Sequence, residues 1–523
     1  MRLGLLVSAC AIAHGTRALA LGTRAHATTC RFAPDWSTQH VVANADDFAW
    51  QLLYWEGRFH RDNVALNTAN GMTYDGTQLD WATGERTKKH PFSAASKEAL
   101  QMMLYARAMD GSNEAARFLT PDNLASAPEV AASILDDKLK TYIRFNATYP
   151  GFGGFLPWVT TDKHDIEPAW DWVNRVPALD NGELLWAVYA CINSMSKSAR
   201  PWIRDLAVKW QNWFDYAKKT AVPVFYSGQG RVCAVAKISN QSLPVTHPAQ
   251  QYACEGTGLL DDPYEGELFT HFISLFSSLP SAEKEKLWRV KRNKLVKVEY
   301  RSTKTGPITV EQGYWFSSHE LWKVLEMPYY DVEIVRRLYH NAERARTCNS
   351  ALNGVAGLYA SVNNSTDVAT DAISGYISAA GIASIASQKQ QYHEVVTPYA
   401  AWPTVLMDRA VGLAWWHRMV TAAKMQNPYG STESTRLDGK LVSALVTWDS
   451  KITTVVALLG GVGDLVRDQL KRDRLYGAFI SRTENEYLRV FGDEQLKGEH
   501  VALCLPKDSV PQVVGVDDFT LCS

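Results

Sequence analysis

The sequence lacks the short motifs that mark several common enzyme classes. It contains no GxSxG nucleophile elbow, no GxGxxG dinucleotide fingerprint and no GxxxxGK[ST] phosphate loop. It also has no CxxC pair, and His319-Glu320 is not followed by the second histidine that a metalloprotease helix requires. Nucleophilic serine, nucleotide and zinc chemistry are therefore unsupported, and we expect neither a cofactor nor a metal.

An excess of charge and a long apolar segment are missing as well. The 523 residues hold 54 Lys plus Arg against 55 Asp plus Glu, and no basic run is long enough to follow a phosphate backbone. The most apolar late segment, 455–466, is interrupted by glycines. We therefore expect no nucleic-acid partner and no membrane span. We also expect a monomer, although neither observation bears on the oligomeric state.

The N-terminus has the features of a secretory signal. An apolar run over 3–13 follows Met-Arg, and small residues at 18–20 and 25–27 resemble signal-peptidase sites. We interpret residues 1–20 as a signal peptide, with cleavage as late as residue 27 as the alternative. Residues 28–523 would then form a single domain of a secreted, extracellular protein.

Cysteine is scarce. Removal of Cys10 with the leader leaves seven of eight, so at least one is unpaired. Proximity in the sequence predicts bridges between Cys233 and Cys254 and between Cys504 and Cys522. Secretion also agrees with four glycosylation sequons, at Asn146, Asn240, Asn363 and Asn364.

Amphipathic helical periodicity is abundant. It predicts helices over 46–55, 96–109, 128–142, 178–194, 201–219, 264–277, 282–295, 317–325, 332–346, 407–425 and 452–470. Strand-like runs are short, at 222–225, 232–238, 296–300, 308–310 and 476–480. Because helix follows helix without the alternation of a parallel α/β sheet, we predict a mainly α protein, one toroid or bundle with short peripheral strands.

Aromatic residues are plentiful, with 18 Trp and 22 Tyr, and several alternate with polar residues in loops. Flat rings stack on sugar faces, while carboxylate, amide and guanidinium groups bind hydroxyls. Such alternation predicts substrate contact by Trp170, Asp171, Asn174 and Arg175. Glu183, a little further on, fits a helix start better than a ligand site.

Four other regions supply candidates of the same kind. Loops between helices are where function is expected. Their candidate substrate-binding residues are Tyr74, Asp75, Trp315, His319, Glu433 and Trp448. For His319, a hydrogen-bonding role in a pocket or the core is favoured over metal ligation.

The segment 252–267 places five carboxylates within thirteen residues that include no Lys or Arg. Crowded carboxylates raise one another's pKa, which is how a general acid is made. Asp261 or Asp262 could cap a helix, and Glu265 would then lie near the start of that helix. The alternative is an acid-rich helix on the surface. Asp449, beside Trp448, fits an N-cap by local rules, but with Glu265 it would complete the acid and base of a glycosidase.

Long strings of this sequence resemble the fungal endo-β-1,2-glucanases of glycoside hydrolase family 162, over about 46–463. The strings include Asn70-Gly-Met-Thr-Tyr-Asp-Gly, His90-Pro-Phe-Ser-Ala-Ala-Ser-Lys-Glu, Gly151-Phe-Gly-Gly-Phe-Leu-Pro-Trp, Glu167-Pro-Ala-Trp-Asp-Trp-Val-Asn-Arg, Cys254-Glu-Gly-Thr-Gly, Asp261-Asp-Pro-Tyr-Glu-Gly-Glu, Asn427-Pro-Tyr-Gly-Ser-Thr-Glu-Ser and Thr447-Trp-Asp-Ser-Lys. The resemblance implies a single (α/α)6 barrel that hydrolyses β-1,2-glucan internally, with inversion, to sophorose and short oligosaccharides.

The resemblance also implies roles for two residues. The acid of the family falls on Glu265 and its base on Asp449. The acid is expected to deliver its proton through a substrate hydroxyl and the base to act through a water relay, so the two carboxyl groups need not keep the usual separation of roughly 6.5–9.5 Å. The alternatives are a non-catalytic glucan-binding protein and a hydrolase or transglycosylase of another β-glucan linkage.

Overall fold

The structure is a computed structural model that describes residues 29–363, 376–377, 381–389 and 394–522. The expected leader and Asn364 lie outside these ranges. The described chain contains sixteen α-helices: α1 Thr38–Ala43, α2 Ala45–Gly57, α3 Ala95–Met109, α4 Asn113–Leu119, α5 Ala127–Thr148, α6 Ala178–Ser196, α7 Pro201–Phe225, α8 Gly266–Phe276, α9 Ser281–Arg292, α10 Lys323–Glu326, α11 Glu333–Leu352, α12 Trp402–Met407, α13 Arg409–Val420, α14 Trp448–Leu458, α15 Gly463–Arg472 and α16 Tyr476–Phe491.

The β-strands are two to six residues long and pair in small antiparallel sheets of two or three strands. Their bounds are β1 Leu66–Asn67, β2 Met72–Thr73, β3 Gly76–Leu79, β4 Arg86–His90, β5 Phe92–Ser93, β6 Val159–Thr160, β7 Glu167–Pro168, β8 Arg175–Pro177, β9 Tyr226–Gly228, β10 Arg231–Val232, β11 Val235–Ile238, β12 Tyr252–Cys254, β13 Lys297–Ser302, β14 Gly306–Glu311, β15 Val362–Asn363, β16 Tyr376–Ile377, β17 Val395–Val396, β18 Gln426–Asn427, β19 Gly430–Ser431, β20 Ser434–Arg436, β21 Val442–Ser443 and β22 Leu445–Thr447.

The helices form a ring. Helix α3 packs on α6, α6 on α8, α11 on α12, α12 on α14, and α14 returns to α3. Helices α3 and α6 are buried on almost every side, whereas α7 buries one stripe that includes Leu206, Trp210 and Phe214. A helix that is buried on all sides belongs to the inner layer, and a helix with a single buried stripe belongs to the outer layer. The predicted mainly α, (α/α)6 architecture is confirmed.

Close packing at one end of the ring depends on a glycine. Gly182 lies near the start of α6, and a Cβ there would come 2.7 Å from the backbone nitrogen of Phe269 in α8. Without a side chain, the first turns of α6 and α8 lie side by side. Asp180 and Glu265 are thereby brought to the same end of the ring.

Several predicted elements differ from the structure. The predicted helix 317–325 is a 3-10 helix over Ser318–Leu321 followed by α10, and the predicted strand 232–238 is divided into β10 and β11. The run 222–225 is the end of α7 and 476–480 the start of α16, because burial of one amphipathic stripe, such as Phe479, Thr483 and Tyr487 in α16, outweighs local strand preference. The predicted helix 452–470 is divided into α14 and α15 by Gly460 and Gly461, whose φ angles are 84° and 66°.

Three disulfides link Cys30 with Cys522, Cys233 with Cys254 and Cys348 with Cys504. The expected Cys233–Cys254 bridge is present, but the expected pairing of Cys504 with Cys522 is wrong. The C-terminal segment passes α11, where Cys504 pairs with Cys348, and ends beside Cys30, where Cys522 pairs. Proximity in the sequence therefore did not predict proximity in space. Among the described cysteines, Cys191 is unpaired and buried. None of the described helices is long and apolar enough to cross a membrane.

Candidate active site

A cavity of about 470 Å³ opens where the first turns of inner helices meet. Residues from the starts of α3, α6 and α14, and the residue before α8, line it. Each helix N-terminus carries a partial positive charge that favours nearby anions. Within the described ranges, no set of His, Cys, Asp and Glu is grouped to hold a metal ion. The carboxyl groups of the cavity are those of Asp75, Asp180, Glu183, Glu265, Glu433 and Asp449.

Glu265 immediately precedes α8 in a firmly held loop. The N-cap of α8 is Glu265 itself, so the expected N-cap at Asp261 or Asp262 is wrong. Asp262 Oδ1 nevertheless accepts a hydrogen bond from the backbone N–H of Gly266, the first residue of α8, at 3.0 Å. A side chain on Gly266 would collide with that carboxylate. Two buried ammonium groups, of Lys291 and Lys323, donate to backbone carbonyls of the loop at 2.7 and 2.5 Å. These bonds fix the backbone of the loop that carries Glu265 to the cavity.

The surroundings of Glu265 favour its protonated form. Burial raises its pKa well above the ordinary value, and the negative charges of Asp262, Glu320 and Asp180 raise it further, while Lys323 opposes them. A carboxylic acid that keeps its proton near neutral pH is what a general acid requires.

Asp449 lies in the first turn of α14 and faces a cation. Its Oδ2 accepts a hydrogen bond from Lys97 Nζ at 2.5 Å, and the same ammonium lies 3.1 Å from Asp75 Oδ1. The Oδ1 atom of Asp449 is buried and has no hydrogen-bond partner among the described residues. The N-cap of α14 is Thr447, so the simple capping interpretation of Asp449 is wrong.

The shared ammonium sets the charge of this cluster. Burial raises the pKa of Asp449, with Lys97 opposing and Asp75 adding to the rise. For Asp75, burial also opposes ionisation, but Lys97 and His90 outweigh it and lower the pKa. Burial works against the charge of Lys97, yet the two aspartates raise its pKa well above the usual range. The cluster therefore places the side chains of Asp75 and Asp449 against one cation, which favours the ionised form of each.

Further carboxyl groups lie beside Glu265 on α6 and α10. Burial raises the pKa of Asp180 to about 6, against the opposing charge of Lys97. Burial likewise raises the pKa of Glu183 and Glu326 well above the ordinary value. The charge of Glu326 adds to the rise at Glu183, and that of Glu265 adds to the rise at Glu326. Glu326 is fully buried, and neither of its oxygens has a hydrogen-bond partner among the described residues. Around Glu265, the cavity is therefore lined by carboxyl groups whose pKa values are raised.

Trp315 and His319 form the predicted aromatic and polar corner. Their rings stack with centroids 5.5 Å apart, and His319 Nδ1 lies 2.5 Å from Ser317 Oγ and 2.8 Å from Ser361 Oγ. Burial, with a smaller effect of Arg346, lowers the pKa of His319 to about 3. His319 lines the cavity as a neutral imidazole, whereas Trp315 supports it from outside the lining.

Two more predicted residues line the cavity from distant loops. Glu433 accepts hydrogen bonds from Thr447 Oγ1 at 2.6 Å and from Ser450 Oγ at 3.1 Å, which ties its loop to the start of α14. Trp170 is 62% exposed and packs edge-on against Phe92 with ring centroids 4.7 Å apart. Trp170 therefore presents a broad apolar face to the cavity.

Five other predicted binding residues are not in the cavity lining. Trp448 is fully buried, and its Nε1 donates to a backbone carbonyl of α3 at 2.9 Å. Tyr74 is also buried, beneath a lysine that donates to its hydroxyl at 3.1 Å. Asp171, Asn174 and Arg175 lie towards the surface, where Arg175 pairs with Asp171 and with a second carboxylate at 2.8 Å. The structure brings together Asp75, Trp170, Glu265, His319, Glu433 and Asp449.

Sequence reasoning missed Lys97 and Asp180. Lys97 lies within a helix whose residues 95–106 are all buried, and a buried lysine needs an anionic partner. That requirement was the available signal, although it does not identify Asp449 as the partner. Asp180 lies in the first turn of α6, where it also lines the cavity.

Comparison with known proteins gives one family and several structures. A family model described as endo-beta-1,2-glucanase SGL matches residues 72–523. A solved endo-beta-1,2-glucanase from Talaromyces funiculosus, in complex with sophorose, is 59% identical, with a TM-score of 0.93 over 95% of this chain and 100% of that chain. A Glu-to-Gln mutant of that enzyme, in complex with beta-1,2-glucan, gives 58% identity, the same TM-score and the same coverage.

More distant structures share the fold alone. An endo-beta-1,2-glucanase from Chitinophaga pinensis is 11% identical, with a TM-score of 0.57 over 82% of this chain and 98% of that chain. A putative glucoamylase from Bacteroides fragilis is 12% identical, with a TM-score of 0.58 over 86% and 98%. A search of curated proteins finds no match.

Proposed function

Since the chain belongs to the endo-beta-1,2-glucanase SGL family, we propose that it cleaves internal β-1,2 linkages of glucan with inversion, to sophorose and short oligosaccharides. The chain is a glycoside hydrolase. Relatives solved with sophorose and with beta-1,2-glucan support this substrate. We propose further that it acts outside the cell as a secreted monomer, for which the three disulfides are supporting evidence.

One observation carries the proposal. Glu265 and Asp449 line the same cavity in different electrostatic surroundings. Neighbouring carboxyl groups raise the pKa of Glu265 further, whereas the ammonium of Lys97 opposes the rise that burial causes in the pKa of Asp449. Two carboxyl groups held in different protonation states are the requirement for inverting hydrolysis. Glu265 is accordingly assigned as general acid and Asp449 as general base.

In the reaction, Glu265 gives its proton towards the glycosidic oxygen while Asp449 takes a proton from the attacking water. The family resemblance implies that the proton from Glu265 passes through a substrate hydroxyl and that the proton taken by Asp449 passes through a water relay. The carboxylate of Asp449, one oxygen of which accepts a hydrogen bond from Lys97, is the proton acceptor for this step. Each proton transfer would contribute about 10²–10⁴-fold to the rate.

Substrate binding would use both the flat and the polar groups of the cavity. Trp170 offers a face for a pyranose ring, and Asp75, His319 and Glu433 offer hydrogen bonds to hydroxyls. Roles for the residues outside the lining, Tyr74, Asp171, Asn174, Arg175, Trp315 and Trp448, remain predictions.

The test is incubation with linear β-1,2-glucan and immediate ¹H NMR of the new reducing ends. The proposal expects sophorose-sized products that form first as α-anomers. First-formed β-anomers would contradict inversion. Calorimetric binding of the glucan without release of reducing sugar would instead indicate a binding protein, and faster cleavage of β-1,3-, β-1,4- or β-1,6-glucan would indicate another linkage.

A further inference from the structure

A second pocket, of about 410 Å³, adjoins the active-site cavity. Phe92 and Trp170 line both spaces, so a glucan chain that leaves the cavity past these rings enters this pocket. The other side of the pocket comes from the end of β4, with Lys88, Lys89 and His90. We call these five residues the basic annex.

The charge of the basic annex is opposite to that of the cavity. Six carboxyl groups line the cavity, and among the described residues none lines the annex. Lys88 is exposed, and the ammonium of Lys89 is fixed by Asn63 Oδ1 at 3.0 Å and the Tyr74 hydroxyl at 3.1 Å. Neither lysine forms an ion pair within the described residues, although the carboxylate of Asp62 acts on Lys89 at longer range. The annex therefore keeps a net positive charge.

The aromatic side of the annex is held in an unusual conformation. Trp170 has a φ of 48°, in the left-handed region that large residues rarely adopt, while its side chain stays 62% exposed. Backbone strain of this kind persists mainly where it positions a functional group. An indole face beside unpaired ammonium groups suits a sugar ring that carries an anion.

We propose that the basic annex binds an oxyanion substituent, a phosphate ester or an ester-linked carboxylate, on a glucosyl unit that flanks the cleaved linkage. Neutral glucan has only hydroxyl groups to offer and leaves both ammonium charges without a counter-ion. The proposal deepens the proposed function and rests on it. Its consequence is a preference for anionically substituted β-1,2-glucan over the neutral chain.

The experiment compares three forms of one β-1,2-glucan preparation. The first carries a low degree of succinylation, the second carries the same succinyl groups as neutral methyl esters, and the third carries phosphate. We expect kcat/KM to be about threefold to tenfold higher for a charged form than for the methyl ester, and this ratio to fall in 0.5 M NaCl. A response to phosphate alone, or to succinate alone, identifies which oxyanion the annex takes.

The variant Lys88→Gln/Lys89→Gln should bring the charged-to-neutral ratio close to one, whereas the control Lys209→Gln, an exposed lysine on α7, should keep the wild-type ratio. A wild-type ratio of one or less, or a ratio that the double variant leaves unchanged, overturns the proposal. Failure of the proposed function would show differently, as no cleavage of neutral glucan.

Discussion

Lys97 Nζ donates to Asp449 Oδ2 over 2.5 Å, across 352 positions of the chain. The contact joins the first turns of α3 and α14, and the same ammonium also holds Asp75. It places a permanent positive charge beside the proposed base, so that Asp449 can remain ionised although burial favours its protonated form.

Replacement of Lys97 by methionine keeps the bulk and removes the charge. The pKa of Asp449 should then rise, because burial and Asp75 both favour its protonated form. A base must be ionised to act, so the acidic limb of the pH profile of kcat/KM should move to higher pH, with at least a tenfold loss of rate at pH 5. Lys197→Met, at an exposed ion pair, is the control. An unmoved acidic limb would show that Lys97 does not govern the base.

Asp180→Asn should move the alkaline limb of the pH profile of kcat/KM. Above its pKa of about 6, ionised Asp180 raises the pKa of Glu265. Without that charge the pKa of Glu265 falls, the acid loses its proton at lower pH, and the alkaline limb of kcat/KM moves to lower pH. Asp215→Asn, at a surface ion pair, should leave the limb in place. A shift of the alkaline limb to higher pH would refute this electrostatic account.

Trp170→Ala should weaken binding more than chemistry. Loss of a stacking face is expected to raise KM for β-1,2-glucan several-fold, since such contacts are worth about 1 kcal/mol, while kcat changes by less than threefold. Trp202→Ala, another exposed indole but on α7, should leave KM unchanged. Equal KM values for the two variants would remove Trp170 from the binding surface.

Glu326→Gln should stabilise the fold in a pH-dependent way. Burial raises the pKa of Glu326, so the folded state keeps a proton that the unfolded state releases above its ordinary pKa. The unfolding free energy of the wild type should therefore fall as pH rises from about 5 to 8, by up to about 1.4 kcal/mol per pH unit from this group. The variant lacks this term, and its advantage should grow with pH in urea denaturation.

Glu343→Gln is the matched control for that measurement. Glu343 is equally buried but is bonded to Arg346 and Thr404. Its substitution leaves Arg346 with a weaker partner and should destabilise the fold at every pH. If Glu326→Gln were destabilising to the same extent, Glu326 would be a satisfied structural residue.

The sequence predicted the features that local pattern determines. Helical periodicity predicted the inner helices. Carboxylate crowding pointed to Glu265, and the family strings pointed to Glu265 and Asp449, which line one cavity. It did not predict that Lys97 meets Asp449 or that Cys30 pairs with Cys522, because each contact depends on how the ring closes. The exposed Asp171 and Asn174 share the composition of a sugar platform with Trp170, yet only Trp170 turns into the cavity.

The strand errors have a related cause. The residues 222–225 and 476–480 are β-branched and aromatic enough to favour strands locally, but each segment extends an amphipathic helix already packed on the core. In both segments, burial of the amphipathic face against the core stabilises the helix more than local preference stabilises a strand.

The most direct test of the account is the turnover of Glu265→Gln on linear β-1,2-glucan, measured as the initial rate of reducing-sugar release beside the surface control Glu129→Gln. The account predicts a loss of at least about 10³-fold in kcat with calorimetric binding of the glucan retained, and a wild-type rate for the control. A Glu265→Gln rate within tenfold of wild type would contradict the assignment of Glu265 as the acid.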